Sequence, residues 1–140
     1  MLQTNKIGIQ LADLVGVTAI TDVTGFGLLG HLTELCEASN VNAELNFSKV
    51  PKIHGLDRYQ NLGCTPGGTQ RNFESYGHNI SPISENQRQI LCDPQTSGGL
   101  LIAVNPDIIE DFDAVCMKHD LRLESFGRLK KLSKFLINVV

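Results

Sequence analysis

Asp22 stands in Thr21-Asp22-Val23-Thr24-Gly25-Phe26-Gly27-Leu28-Leu29-Gly30-His31-Leu32, where an apolar run ends in an acid and glycines lead into a helical repeat. Val17 to Ile20 reads as a buried strand, and Leu28, Leu32 and Leu35 recur at helical spacing, so the carboxylate falls where strand hands over to helix. In α/β architectures ligands collect at that junction. Gly25 and Gly27 let a backbone approach an anion closely, and the free N–H groups and positive dipole end of the helix favour phosphate. A carboxylate beside a phosphate is repulsive unless a cation lies between them, so the combination points to magnesium bridging Asp22 and nucleotide phosphate oxygens. The same spacing also accommodates a plain turn, with Asp22 closing an Asx-type bend and the glycines permitting tight helix–strand packing.

Two further segments invite a ligand. In Pro66-Gly67-Gly68-Thr69-Gln70-Arg71-Asn72-Phe73, successive N–H groups of a glycine-rich turn could converge on an anion with Arg71 adding charge, or the segment could be an ordinary surface turn. In Leu91-Cys92-Asp93-Pro94-Gln95-Thr96-Ser97-Gly98-Gly99, Asp93 and Ser97 could face a cleft, or Asp93 could end a helix before proline. His31, His54, His78 and His119 show no metal-ligand spacing. His31, three residues after Leu28 and four before Leu35, reads as a hydrogen-bonded, partly buried side chain, and His119 as a helix-end residue. The four cysteines form no paired or zinc-like pattern, and Cys36 and Cys116 extend the apolar faces of helices as small hydrophobes.

The elements that would hold these residues alternate along the chain. Leu2, Ile7, Leu11, Leu14 and Val15 suggest an opening helix that stops before Gly16, capped by Thr4 or Asn5. The site helix should end near Ser39-Asn40, and Val41 to Phe47 alternates like a half-exposed strand. Residues 51–83 carry five of the 13 glycines and three of the five prolines, so they read as a long ordered loop with one short helix at Leu56 to Leu62, anchored by Tyr59, Phe73 and Tyr76. Ser84 with Gln87 is a capping box opening a helix through Leu91. Leu100 to Val104 reads as a central strand covered on both faces. Pro106 opens a helix with Ile108, Phe112 and Val115 on its buried stripe. Leu121 to Gly127 and Phe135 to Val140 read as strands on either side of the basic cluster Arg128 to Lys131.

The length of 140 residues suits one domain, which at this size buries roughly 68–70% of its unfolded surface. Hydrophobic residues at 41% and charged residues at 19% place the chain among globular domains and away from disorder. A net charge of −3 argues against a general nucleic-acid or acidic-membrane binder, so any phosphate affinity must be local. Neither a membrane-spanning run nor a signal peptide is legible, which makes the cytoplasm the expected location.

The 21–32, 66–73 and 91–101 segments, in that order, together resemble the C-terminal half of selenophosphate synthetase (selenide, water dikinase), the likeness running from about Asn5 to Gly127. The resemblance implies an enzyme that makes selenophosphate from selenide, ATP and water, releasing AMP and phosphate. It implies an α+β fold, a three-layer helix/sheet/helix domain with a mixed sheet, like the C-terminal domain of aminoimidazole ribonucleotide synthetase. It places a magnesium ligand at Asp22, and puts Thr24, Gly25, Gly27, Gly67, Gly68, Thr69 and Arg71 near the ATP cleft. The family's reactive cysteine or selenocysteine is followed by glycine. Here Cys36, Cys64, Cys92 and Cys116 are followed by Glu37, Thr65, Asp93 and Met117. Residues 1–140 are therefore expected to be the single C-terminal domain of a two-domain enzyme, with its catalytic cysteine and lysine and most ATP contacts in an N-terminal domain that is its partner, and with a homodimer as the full-length form. Another ATP-dependent enzyme of the wider superfamily, or a non-catalytic interaction domain, are the alternatives.

Overall fold

A computed structural model of the chain describes residues 4–131 and 134–140. Leu2, at the start of the expected opening helix, lies outside the described residues. The rest of that helix, α1 (Ile7–Ala12), is shorter than its apolar pattern suggested and buries Leu11. Strand β1 (Val17–Asp22) leads through a four-residue turn into α2 (Gly27–Ser39). Helix α2 ends as a left-handed cap at Asn40, φ 53° and ψ 46°, whose N–H reaches the carbonyls of Cys36 and Glu37. Strand β2 (Asn42–Leu45) follows, then α3 (Leu56–Asn61), α4 (Gly67–Tyr76) and α5 (Glu85–Leu91). The C-terminal part holds β3 (Leu100–Val104), α6 (Ile109–Met117) after a 3-10 turn at Pro106–Ile108, β4 (Gly127–Lys130) and β5 (Ile137–Val139).

The fold is mixed α+β, as expected. Its mixed sheet has the order β4-β2-β5, antiparallel on one side and parallel on the other. A separate antiparallel pair joins β1 to β3, with Asp22 opposite Leu100 and Val17 opposite Val104. The larger core lies between α2, α5 and the mixed sheet, where Leu29, Cys36, Leu45, Leu91, Cys92 and Ile137 are fully buried. A smaller core of Leu11, Phe112 and Cys116 packs α1 and α6 against the β1–β3 pair. Cys36 and Cys116 thus fill the apolar role expected of them, and burial pushes the Cys36 thiol up to about 11.

Four local expectations are corrected. Strand β2 is central in its sheet: Ala43 and Leu45 are buried as the alternation predicts, but Asn42 is buried too and Glu44 is only partly exposed, beneath its bonds to Arg128 and Lys130 of the neighbouring strand. Among the described residues strand β3 has a single partner and only its Leu101 is buried, so its apolar run serves a two-stranded ribbon, not a sheet centre. The first of the two C-terminal strands sits later than expected, whereas β5 falls within Phe135 to Val140 as expected: Leu121 to Phe126 is irregular, and most of the basic cluster lies in β4 itself, with Arg128 and Lys130 both bonded across the strands to Glu44. Those two cations hold the Glu44 carboxyl below its ordinary range. Finally, the supposed loop 51–83 contains α4, a ten-residue helix. The Ser84 capping box forms as expected, with Ser84 Oγ accepting from Gln87 N and Gln87 Oε1 accepting from Ser84 N.

Candidate functional site

Asp22 is the last residue of β1, and its side chain is exposed at the point where the chain leaves the β1–β3 pair. Among the described residues its carboxylate makes no hydrogen bond or ion pair. Val23 then turns inward, and its N–H donates to the carbonyl of Gly99 at 2.9 Å. The next three carbonyls are each claimed by a different residue, from α4 or from the 91–101 segment. Thr24 O accepts from Gln95 N at 3.0 Å, Gly25 O from Asn72 Nδ2 at 2.8 Å, and Phe26 O from Tyr76 Oη at 2.6 Å. The turn that follows Asp22 is therefore held by tertiary contacts in addition to its own local bond, in which Gly27 N donates to Thr24 O at 3.0 Å.

Close backbone approach explains the glycines here. Gly27 has φ +71°, and a Cβ on it would lie 2.7 Å from the carbonyl carbon of Cys92. Gly98 is tighter still, since its Cβ would lie 1.9 Å from Val23 O. Gly25 is different: its Cβ would meet nothing within 4 Å, so packing does not require glycine there.

The Gly67-Gly68-Thr69 segment is the first turn of α4, not a separate nest, and Pro94 Cγ would stand 2.6 Å from a Cβ at Gly68. Thr69 is 3% exposed, and its Oγ1 is buried without a partner. Arg71 points to solvent and forms no ion pair among the described residues. Asn72 and Tyr76, which sequence reasoning left out of its candidate site residues, do the joining. Asn72 Nδ2 also donates to Cys92 O at 2.9 Å, so one buried amide ties the 21–32 segment to the 91–101 segment. A signal existed: Thr69, Asn72 and Tyr76 follow one another at helical spacing, which marks a buried face in a stretch whose glycines read as loop.

His31 is 7% exposed, with Nε2 3.2 Å from Thr24 Oγ1 and Nδ1 3.1 Å from Glu34 Oε2. Both ring nitrogens are thus engaged, Nε2 with the Thr24 hydroxyl and Nδ1 with Glu34, which is the hydrogen-bonded histidine expected. His119, just beyond the end of α6, meets Gln10 Oε1 with Nε2 at 3.0 Å.

Asp93 both follows the end of α5 and lines a groove of about 430 Å³ that runs past Val23, Leu56, Cys64, Gln95 and Gly98. Its Oδ2 accepts from Gln95 Nε2 at 2.9 Å, whereas Oδ1 is buried without a partner, and that burial pushes the carboxyl above its ordinary range. Asp22 is not among the residues that line this groove, although its neighbour Val23 is. No cluster of three His, Cys, Asp or Glu side chains capable of holding a metal exists among the described residues. An exposed carboxylate with no competing partner suits magnesium, but it supplies one donor, and the remaining ligands must come from phosphate, water or another polypeptide segment. Among the described residues no helix is long and apolar enough to cross a membrane.

The family described as AIR synthase related protein, C-terminal domain, matches residues 1–135. Selenide, water dikinase of Photorhabdus laumondii is 52% identical over 131 residues, covering 94% of this chain and 38% of that protein. The enzyme of the same name from Sulfurovum sp. is 50% identical over 140 residues, covering 100% of this chain and 41% of its own length. The chain thus spans about two fifths of the curated relatives it matches. Among solved structures, thiamine-monophosphate kinase from Stenotrophomonas maltophilia aligns over 89% of this chain with a TM-score of 0.54 at 17% identity, a likeness of fold.

Proposed function

The chain belongs to the family of AIR synthase related proteins, C-terminal domain, and from that premise we propose that residues 1–140 form the C-terminal domain of a selenide, water dikinase. The observation that carries this reading is identity of about half to enzymes of that name over 92% or more of the chain. In this reading an N-terminal domain of the same protein brings the reactive cysteine or selenocysteine, the lysine and most ATP contacts, and the full-length enzyme is a cytoplasmic homodimer acting on ATP and selenide. The thiamine-monophosphate kinase likeness, at 17% identity, favours no second substrate.

Asp22 offers a carboxylate to magnesium at the mouth of the cleft between the two domains. Magnesium, when bound, neutralises phosphate oxygens and orients them. Thr24, Gly25 and Gly27 shape the turn that presents Asp22, with His31 holding the Thr24 hydroxyl. Gly68 lies against Pro94 with Gly67 and Thr69 beside it in the first turn of α4, and Arg71, exposed one turn along, offers its guanidinium to a phosphate brought by the companion domain.

The test is Asp22→Asn in the full-length protein, assayed for ATP- and selenide-dependent turnover across a magnesium series. The half-saturating magnesium concentration should rise about tenfold or more, with an unchanged thermal midpoint because the side chain is exposed and makes no core contact. An unaltered magnesium requirement refutes the role of Asp22.

A further inference from the structure

We infer that Asn72 is a positioning residue for the Asp22 carboxylate, acting through the turn at residues 23–26 and resting on the reading of Asp22 as a metal ligand. Asp22 lies between two restraints. Upstream, β1 fixes it opposite Leu100. Downstream the chain is neither strand nor helix, and its course depends on what its carbonyls meet.

Two of the three carbonyl contacts there tie the turn to a single segment each, Thr24 to the backbone of Gln95 and Phe26 to Tyr76. Asn72 alone spends both hydrogens of one amide on two segments at once, Gly25 O at 2.8 Å and Cys92 O at 2.9 Å. At 9% exposed, it is held on the buried face of α4. An amide is the smallest side chain whose one nitrogen can donate twice, so the geometry demands Asn more than it demands a polar residue in general. Without those donors the Gly25 carbonyl loses its partner, and glycine, with no side chain to pack, keeps its wide backbone freedom. The carboxylate three residues upstream then samples more positions, and metal affinity falls as it does when an outer partner of a ligand is removed.

The experiment uses the full-length protein with Mn²⁺ as the probe, its binding measured by titration calorimetry, and hydrogen–deuterium exchange followed over residues 23–27. Asn72→Leu keeps the branched heavy-atom shape and removes both donors, and the smaller Asn72→Ser serves as a second variant that cannot overfill the site. Leu32→Ala, a core truncation, matches the loss of thermal stability without touching the turn. The expected result is Mn²⁺ affinity lowered about tenfold or more in the Asn72 variants, faster exchange at residues 23–27, and parental affinity in Leu32→Ala. Affinity in the Asn72 variants equal to that of Leu32→Ala at matched thermal midpoints overturns the inference while leaving the Asp22 reading intact. Parental affinity in Asp22→Asn overturns both.

Discussion

The phenol of Tyr76 donates a 2.6 Å hydrogen bond to the carbonyl of Phe26, fifty positions earlier in the chain. This bond joins the last turn of α4 to the residue that opens α2, and it is the third in a row of contacts that meet the carbonyls of Thr24, Gly25 and Phe26. Burial, with Cys92 as neighbour, drives the ionisation of this phenol far above the ordinary tyrosine range, so it remains a donor at all physiological pH.

Tyr76→Phe keeps the ring in the core and removes only the donor. Leaving the Phe26 carbonyl without it should cost about 1–2 kcal/mol, read from the urea midpoint at unchanged slope. An unchanged midpoint would mean that the contact contributes nothing net.

Gly98 and Gly25 should respond in opposite ways to the same methyl. Gly98→Ala places a Cβ 1.9 Å from Val23 O, a backbone atom that cannot move aside without parting β1 from β3, so the expected result is a marked fall in thermal midpoint or failure to fold. Gly25→Ala meets no atom within 4 Å and should shift stability by less than about 0.5 kcal/mol. Equal effects at the two positions contradict the described packing.

Asp93 sets a pH dependence. Its folded carboxyl titrates above the unfolded one because burial disfavours the charge, with the Gln95 amide only partly offsetting this. The native state therefore holds its proton longer, and stability falls as pH rises from about 4, the unfolded aspartate value, through the raised folded value. Asp93→Asn removes the buried charge, and the Gln95 amide can rotate to present its oxygen. The variant should be more stable than the parent at pH 7, with the gap closing below about pH 4. Thermal midpoints across pH 3 to 8 check this, and a constant difference would show that the carboxylate is not penalised by its surroundings.

Much of the frame was legible because it rests on local chemistry. The Ser84 box, the helix entered at Gly27 and the run Leu100 to Val104 each carry their signal within a few residues. Helix α4 was hidden because glycines 67 and 68 have poor helix propensity, and what stabilises it is remote: Pro94 against Gly68, Cys92 O for Asn72, Phe26 O for Tyr76. The pairing of β1 with β3 joins residues some eighty positions apart, and no local pattern announces it. For the site, the position of Asp22 at a strand end was readable, whereas Asn72 was visible only as one letter in a motif until the fold showed two carbonyls beneath its amide.

The left-handed bend at Gly27 against the Cys92 backbone means that this corner of the protein is inherited as a set. Someone transplanting the acid-bearing turn into a new scaffold would have to carry α4 and the 91–101 stretch with it, because a loop moved alone arrives without the partners that give it shape.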